Sequence, residues 1–464
     1  MIIFISENKD SNIVYNSRKS LIKKHKELNY DVNSLTCEMF TYHDARVIND
    51  CINNTENMQS LDLCDVEFQK DNTYIYPIMI SDLSRGFGYK NIYAFFEVLP
   101  EIILDKVRSK EVYIAFFAIT EGIDYDSNHL PDSKSLIDFG AITCHKKSLN
   151  SVIEDSCASY NIPKEQILLI TCGKHSHYLE DVNLLHLNYY ALELNYKIKL
   201  GYMSFLKKLS VKKEKHFICA NSRIRPHRYH LVYELYRNDL LKHGYVSCQS
   251  FDSWFSQFPS EIFQGNINSL TKKLQEDNVN IAEFMTFYNT LPYYIDMLND
   301  ENAIENLSSS WITNHRKSLG RIGQNDKLNH ISTYYERAVM DIITESNRSD
   351  KNVNFLSEKT FRTIMHKMPF IISGDKGIHN ELTRHGFKLY DMLFDYSFDN
   401  YDSYIDRNIA IISQLKKYCD MPIEDFYNRT RQDDVQEVIE HNYKVLESNS
   451  IWNEFANKLK TQIK

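Results

Sequence analysis

The first half of the chain is punctuated by short, unbroken apolar runs: Ile2 to Ile5, Ile75 to Ile80, Val112 to Ile119, Ile167 to Thr171 and Leu184 to Leu187. Each has the length of a strand, and helical or loop material separates them. A strand that is apolar at nearly every position must be covered on both faces, as in a parallel sheet flanked by helices. The rhythm resumes at residues 216–220, 244–247, 338–343 and 369–373. The expected class is therefore α/β, with two Rossmann-like domains facing a cleft and with helical additions. Ligands of such sheets bind beyond the carboxyl ends of the strands.

At 464 residues the chain exceeds one compact core, so more than one domain is expected. Paired lysines, Lys207 with Lys208 and Lys212 with Lys213, mark a basic connector. The expected division is an α/β domain over 1–205 and a second over 206–423, the latter with a polar, partly helical insertion at about 250–330. C-terminal helices follow over 424–464. In that tail Val435, Val438 and Ile439 form one apolar face, and Ile451, Phe455, Leu459 and Ile463 form another at four-residue steps.

A net charge of −8 opposes nucleic-acid binding over the whole surface but leaves room for a local basic groove. The nine cysteines form no CxxC pair, which fits reduced thiols in a cytoplasmic protein. The opening MIIFISENKD has no basic n-region and reads as a strand rather than a signal peptide. No run approaches the roughly 20 apolar residues of a membrane span. Nothing in the sequence sets an oligomeric state.

Two turns carry chemistry. In residues 355–387, Ser357 is the expected N-cap of a helix whose apolar face is Phe361, Ile364, Met365 and Met368, ended by Pro369. Phe370 to Ile372 form a short strand, Ser373 to Gly377 a turn, and Ile378 opens a helix that closes near Gly386. Lys359 thus falls in a first helical turn, where the dipole disfavours a cation and a bound anion would remove the conflict. In residues 216–247 a strand, a polar loop and a helix follow one another, and Arg223, Arg225 and Arg228 crowd the loop beside Pro226. Guanidiniums supply bidentate donors suited to phosphate. Solvated basic loops, or RNA binding, are the plainer readings. Two strand-to-helix turns with cations at helix N-termini favour one shared phosphorylated ligand.

Three segments carry a resemblance. They are Asn221-Ser222-Arg223-Ile224-Arg225-Pro226-His227-Arg228, Ile342-Ile343-Thr344-Glu345-Ser346, and Phe355-Leu356-Ser357-Glu358-Lys359-Thr360 followed by Pro369-Phe370-Ile371-Ile372. The chain resembles phage-type GT-B glycosyltransferases over roughly residues 205–410. It is more distantly similar to the nucleotide-sugar domain of α-1,3-fucosyltransferases. Leu291-Pro292 with Asp296, and the Gly386-Phe387 segment leading to Asp395, Asp399 and Arg407, belong to the same match. The resemblance implies that the first domain takes the acceptor and the second a nucleotide-diphosphate sugar. Arg228 and Lys359 would clamp the diphosphate, with Arg223 and Arg225 as rival arginines. Glu345 and Glu358 would meet ribose or sugar hydroxyls, and Ser357 and Thr360 flank the Glu-Lys pair. The implied acceptor is a hydroxymethylated or glycosylated base in phage DNA, inside the infected host cell. A carbohydrate acceptor is the alternative, and a noncatalytic nucleic-acid- or glycan-binding protein of the same fold is a third reading.

Glycosyl transfer needs cations for the departing diphosphate and a base for the acceptor hydroxyl. Glu121 and Asp124, beyond the strand ending near Ile119, are the expected catalytic carboxylates. Asp124-Tyr125-Asp126 also matches a DxD metal motif, but it sits in the wrong half for a donor site. No metal is expected to be required.

Overall fold

A computed structural model of the chain describes residues 1–6, 42–79, 96, 99–118, 154, 157–172, 183–200, 212–221, 225–250, 267–293, 334–345 and 354–463. The chain divides into two compact units, Met1–Glu193 with Ser450–Lys464, and Leu194–Asn449. It is α/β, with a parallel sheet in each unit. Among the described residues no helix is long and apolar enough to cross a membrane.

In the first unit, strands β1 (Ile2–Ser6), β2 (Met58–Asp62), β3 (Thr73–Met79), β4 (Val112–Ala118), β5 (Ile167–Thr171) and β6 (Asn183–His186) form one sheet. Its order is β2-β1-β3-β4-β5-β6, parallel throughout. Four of the apolar runs become the interior strands β1, β3, β4 and β5, and every residue of β1 and β5 is buried; the fifth run becomes the edge strand β6, where only Leu185 is buried. Strand β2, Met-Gln-Ser-Leu-Asp, was not expected. It lies on the sheet edge, where only Met58 is buried, so it needs no apolar run. Pro77 sits inside β3 although it lacks an N–H. The pairing of β3 with β1 ends at Ile75, and only β4 continues alongside. Helices α1 (Tyr42–Asn53) and α2 (Glu101–Arg108) belong to the connections.

The last helix, Ser450–Gln462, also belongs to this unit. Its Ile451, Phe455 and Leu459 are buried, as is Ile463 beyond it. Trp452, fully buried, donates its indole N–H to Thr55 Oγ1 at 2.6 Å. The expected block of C-terminal helices over 424–464 is therefore divided, with 424–449 in the second unit.

The second unit, entered along α3 (Tyr189–Lys199), contains β7 (Lys215–Ala220), α4 (Pro226–Arg237), β8 (Gly244–Ser247), α5 (Ile267–Glu276), α6 (Ile281–Tyr288), β9 (Ala338–Thr344), α7 (Glu358–Met365), β10 (Phe370–Ser373), α8 (Ile378–Arg384), α9 (Tyr404–Cys419), α10 (Ile423–Thr430) and α11 (Asp433–Glu447). The sheet order is β10-β9-β7-β8, again parallel. Strand order reverses between β7 and β9, since β8 lies on one side of β7 and β9 on the other. The stretch expected as an insertion shares the core of the unit: Leu270 and Leu274 of α5 and Phe284 and Phe287 of α6 pack with Tyr229, Val232 and Tyr233 of α4. On α7 the expected N-cap, Ser357, and the apolar face Phe361, Ile364 and Met365 are as read from the sequence.

Gly244 begins β8 against the fully buried Phe217 ring. A Cβ there would lie 2.2 Å from Phe217 Cε2. Gly244→Ala should cost about 1–3 kcal/mol, because the ring sits in the core and must shift. Thermal unfolding checks this, and an unchanged midpoint would show that the ring yields freely.

Candidate functional site

The carboxyl ends of β7 and β9, where the strand order reverses, gather the polar residues singled out above. The reversal is where open α/β sheets leave a crevice for ligands. Three strand ends are tied together there. The Asn221 N–H donates to Ser247 Oγ at 2.9 Å, and that hydroxyl donates to Asn221 O at 3.0 Å. Thr344 Oγ1 donates to the side-chain oxygen of Asn221.

Beyond β7 the chain enters α4 through Arg225, which is extended (φ −150°, ψ 139°) and precedes Pro226 at the first helical position. The first turn has no acidic residue. Arg225, His227 and Arg228 are all buried. Arg228 Nη2 donates to the carbonyls of Thr344 and Glu345, each at 3.3 Å, and His227 Nε2 lies 2.8 Å from Glu345 O. Because a carbonyl can only accept, His227 carries its proton on Nε2. Burial, reinforced by the Arg228 charge, pushes the imidazole down to about 3, so it is neutral at physiological pH. The guanidinium of Arg228 thus braces the end of β9 at the same time as it lies at the strand reversal.

At the N-terminus of α7 the geometry corrects the electrostatic argument made from sequence. The helix start does not wait for an outside anion. Glu345, immediately beyond β9 and 1% exposed, supplies its carboxylate. Oε1 accepts from Ser357 N–H at 3.0 Å and from Thr360 Oγ1 at 2.6 Å, and Oε2 accepts from Ser357 Oγ. An anion at a helix N-terminus is favourable, and three donors satisfy it. Lys359 Nζ donates to Glu358 Oε1 at 2.8 Å and to Ser357 Oγ at 3.1 Å. Burial opposes ionisation of Glu358, but the Lys359 ammonium and the Arg362 guanidinium prevail and hold its carboxyl down at about 2. The Lys359 and Glu358 side chains keep 15% and 35% of their surface exposed. Both therefore reach the surface at the helix start, whereas Glu345, expected to meet a sugar hydroxyl, faces the helix.

Arg225, Arg228, Glu345, Ser357, Glu358, Lys359 and Thr360 are thus placed at the ends of β7 and β9 and the starts of α4 and α7. Glu121, Asp124 and Arg223 lie outside the described residues. Asp399 and Arg407, part of the resemblance, are scaffold. His379 Nε2 accepts the Ile372 N–H at 3.2 Å, which puts the ring proton on Nδ1, 2.8 Å from Asp399. Arg407 donates to the carbonyls of Gly374, Tyr401 and Asp402. Sequence reading missed Asn408, which accepts from Ser373 Oγ at 2.6 Å and donates to His227 O at 2.9 Å. Its signal was there: a polar residue on the stripe formed with Ile411, Ile412 and Leu415. The basic connector is also altered. Lys207 and Lys208 lie outside the described residues, and Lys213 donates to the carbonyls of Glu336 and Ala338 at 2.9 and 2.7 Å.

No protein-family model matches the chain, and neither a curated protein nor a solved structure matches it.

Within β9, one turn of strand before the site, Asp341 accepts from Tyr335 OH at 2.9 Å and from Thr363 Oγ1, which fastens α7 to the sheet. Arg362 lies over the Tyr335 ring and donates to its hydroxyl at 3.2 Å. Burial raises the Asp341 carboxyl to about 6, despite these donors and the guanidinium. A raised carboxylate favours folding most below its unfolded value near 3.8, and that contribution fades as pH rises through about 6. Asp341→Asn keeps an acceptor for both hydroxyls without the charge. The stability of wild type relative to this variant should therefore fall by about 2–3 kcal/mol between pH 4 and pH 7. Denaturation curves across that range test it; a constant difference would mean that Asp341 ionises as easily folded as unfolded.

Proposed function

We propose that the protein is a glycosyltransferase of the GT-B kind, which binds a nucleotide-diphosphate sugar in its second unit and passes the sugar to an acceptor hydroxyl. One observation carries the reading: buried Arg225 and Arg228 and part-exposed Lys359 stand at two helix N-termini beside the carboxyl ends of β7 and β9. Cations at two neighbouring helix starts suit a diphosphate, and they suit it best as it leaves with additional negative charge. Glu358, ionised and part-exposed, is placed to accept from a ribose or sugar hydroxyl. The acceptor must lose a proton as it attacks, and Glu121 and Asp124 remain the carboxylates expected to take it.

The acceptor is a hydroxyl of a modified DNA base or of a carbohydrate. Engagement of Lys213 by two backbone carbonyls favours the carbohydrate, because it withdraws one lysine from the connector that would grip a DNA backbone. Mass spectrometry after incubation with hydroxymethylcytosine duplex, unmodified duplex or oligosaccharides separates the acceptors. Slow hydrolysis of the donor separates a transferase from a noncatalytic binding protein. The reading places the protein in the cytoplasm.

Calorimetry with UDP-, GDP-, ADP- and CMP-sugars should reveal one preferred donor. Lys359→Ala should weaken its binding by about 1.5–3 kcal/mol, the worth of a charged hydrogen bond. Equal affinity in the folded variant would remove Lys359 from the donor site. Since protein cations already face the diphosphate in this reading, turnover should survive EDTA. Loss of turnover on chelation, with recovery on adding manganese or magnesium, would sink the metal-independent route.

A further inference from the structure

Glu345 has surroundings that suit it to a part other than touching a ligand. We propose that Glu345 is a positioning residue, which holds the Ser357 hydroxyl so that its oxygen faces Lys359 and anchors that ammonium at the start of α7. The inference rests on the donor site proposed above and concerns how one of its cations is aimed.

A hydroxyl has one proton and two lone pairs, and a carboxylate can only accept. The hydrogen bond between Ser357 Oγ and Glu345 Oε2 therefore consumes the serine proton. The oxygen is left to accept, and what it faces is Lys359: the backbone N–H at 3.4 Å and Nζ at 3.1 Å. Donation to a carboxylate also makes that oxygen a better acceptor. The carboxylate is itself fixed, because Ser357 N–H and Thr360 Oγ1 hold Oε1 and the side chain is buried. A lysine carries a flexible four-carbon stem, and ordering it in advance lowers the entropy lost when a ligand binds. Glu358, the second anchor of Nζ, is itself part-exposed, so the buried pair sets the direction.

Replacing Glu345 by glutamine tests the polarity of this chain. All three partners of the carboxylate among the described residues are donors, so the amide NH2 cannot replace an oxygen without turning a neighbour around. If the amide oxygen keeps Thr360 and Ser357 N–H, the NH2 meets Ser357 Oγ. The serine proton must then turn away, toward the ammonium that it now repels.

The experiment is pulsed acetylation of the folded protein, with each lysine read by mass spectrometry. An amine that must first leave its hydrogen-bond partners reacts slowly. In Glu345→Gln the rate at Lys359 should rise several-fold, while Lys367, paired with Glu440 at the far end of α7, stays constant. Ser357→Ala should reproduce the rise if the glutamine variant folds poorly, and Ser357→Thr, which keeps the hydroxyl, should not. An unchanged rate at Lys359 in Glu345→Gln and Ser357→Ala overturns the inference. So does an equal rise at Lys367, which is what general loosening of the unit would give. Calorimetry with nucleoside diphosphates supplies the second arm: Glu345→Gln should weaken binding about tenfold, and add no further loss in a Lys359→Met background. If Lys359 becomes reactive as expected but wild type binds none of the nucleotides, the positioning role stands and the glycosyltransferase reading falls.

Discussion

Residue 345 joins four elements of the second unit. Its N–H donates to Ser373 O at the end of β10, its carbonyl accepts from His227 and Arg228 of α4, and its carboxylate accepts from Ser357 and Thr360 at α7. A parallel sheet sets its strands side by side, but it does not fix how the following helices start. Here both helix starts are tied to the residue that follows β9. Burying this side chain is tolerable because, among the described residues, each bond to it runs from a donor, and because the α7 N-terminus is itself electropositive. The second layer, Asp341 with Tyr335 and Thr363, repeats the device one turn of helix later, so α7 is fastened to β9 at two points.

The class of the fold was legible because burial on both faces forces unbroken apolar strands. Ile167–Thr171 and Gly244–Ser247 coincide with the expected runs residue for residue, and the others differ by a residue or two at their ends. Met58–Asp62 was illegible for the converse reason: an edge strand with part-exposed residues has no apolar signature to read. The segment around residue 270 misled because its polarity suggested something apart from the core. Phe284 and Phe287 are few in number, but they are large and fully buried, and a few aromatic side chains suffice to seat two short helices on α4.

At the site, sequence revealed positions but not partners. Cations at helix starts could be read because capping and proline fix where helices begin. The anion that answers them could not, since Glu345 lies twelve residues before Ser357 and only the fold brings the two together. The same blindness made Asp399 and Arg407 look functional, although one orients a buried imidazole and the other gathers backbone carbonyls. Lys213 likewise looked like part of a basic connector, and is half-buried with its ammonium on the carbonyls of Glu336 and Ala338. A charged residue in a sequence declares a charge; whether that charge is spare depends on neighbours that spacing does not encode.

The return of Ser450–Gln462 to the first unit bears on how the molecule is made. The second unit is one contiguous stretch, Leu194–Asn449, so it is synthesised without interruption. The first unit begins earlier yet stays incomplete until the helix Ser450–Gln462 arrives with its buried Trp452 and Phe455. Order of synthesis and order of completion are therefore inverted. Until that helix is made, the early sheet lacks the apolar cover that the helix supplies, and exposed apolar surface of that kind is prone to find other partners.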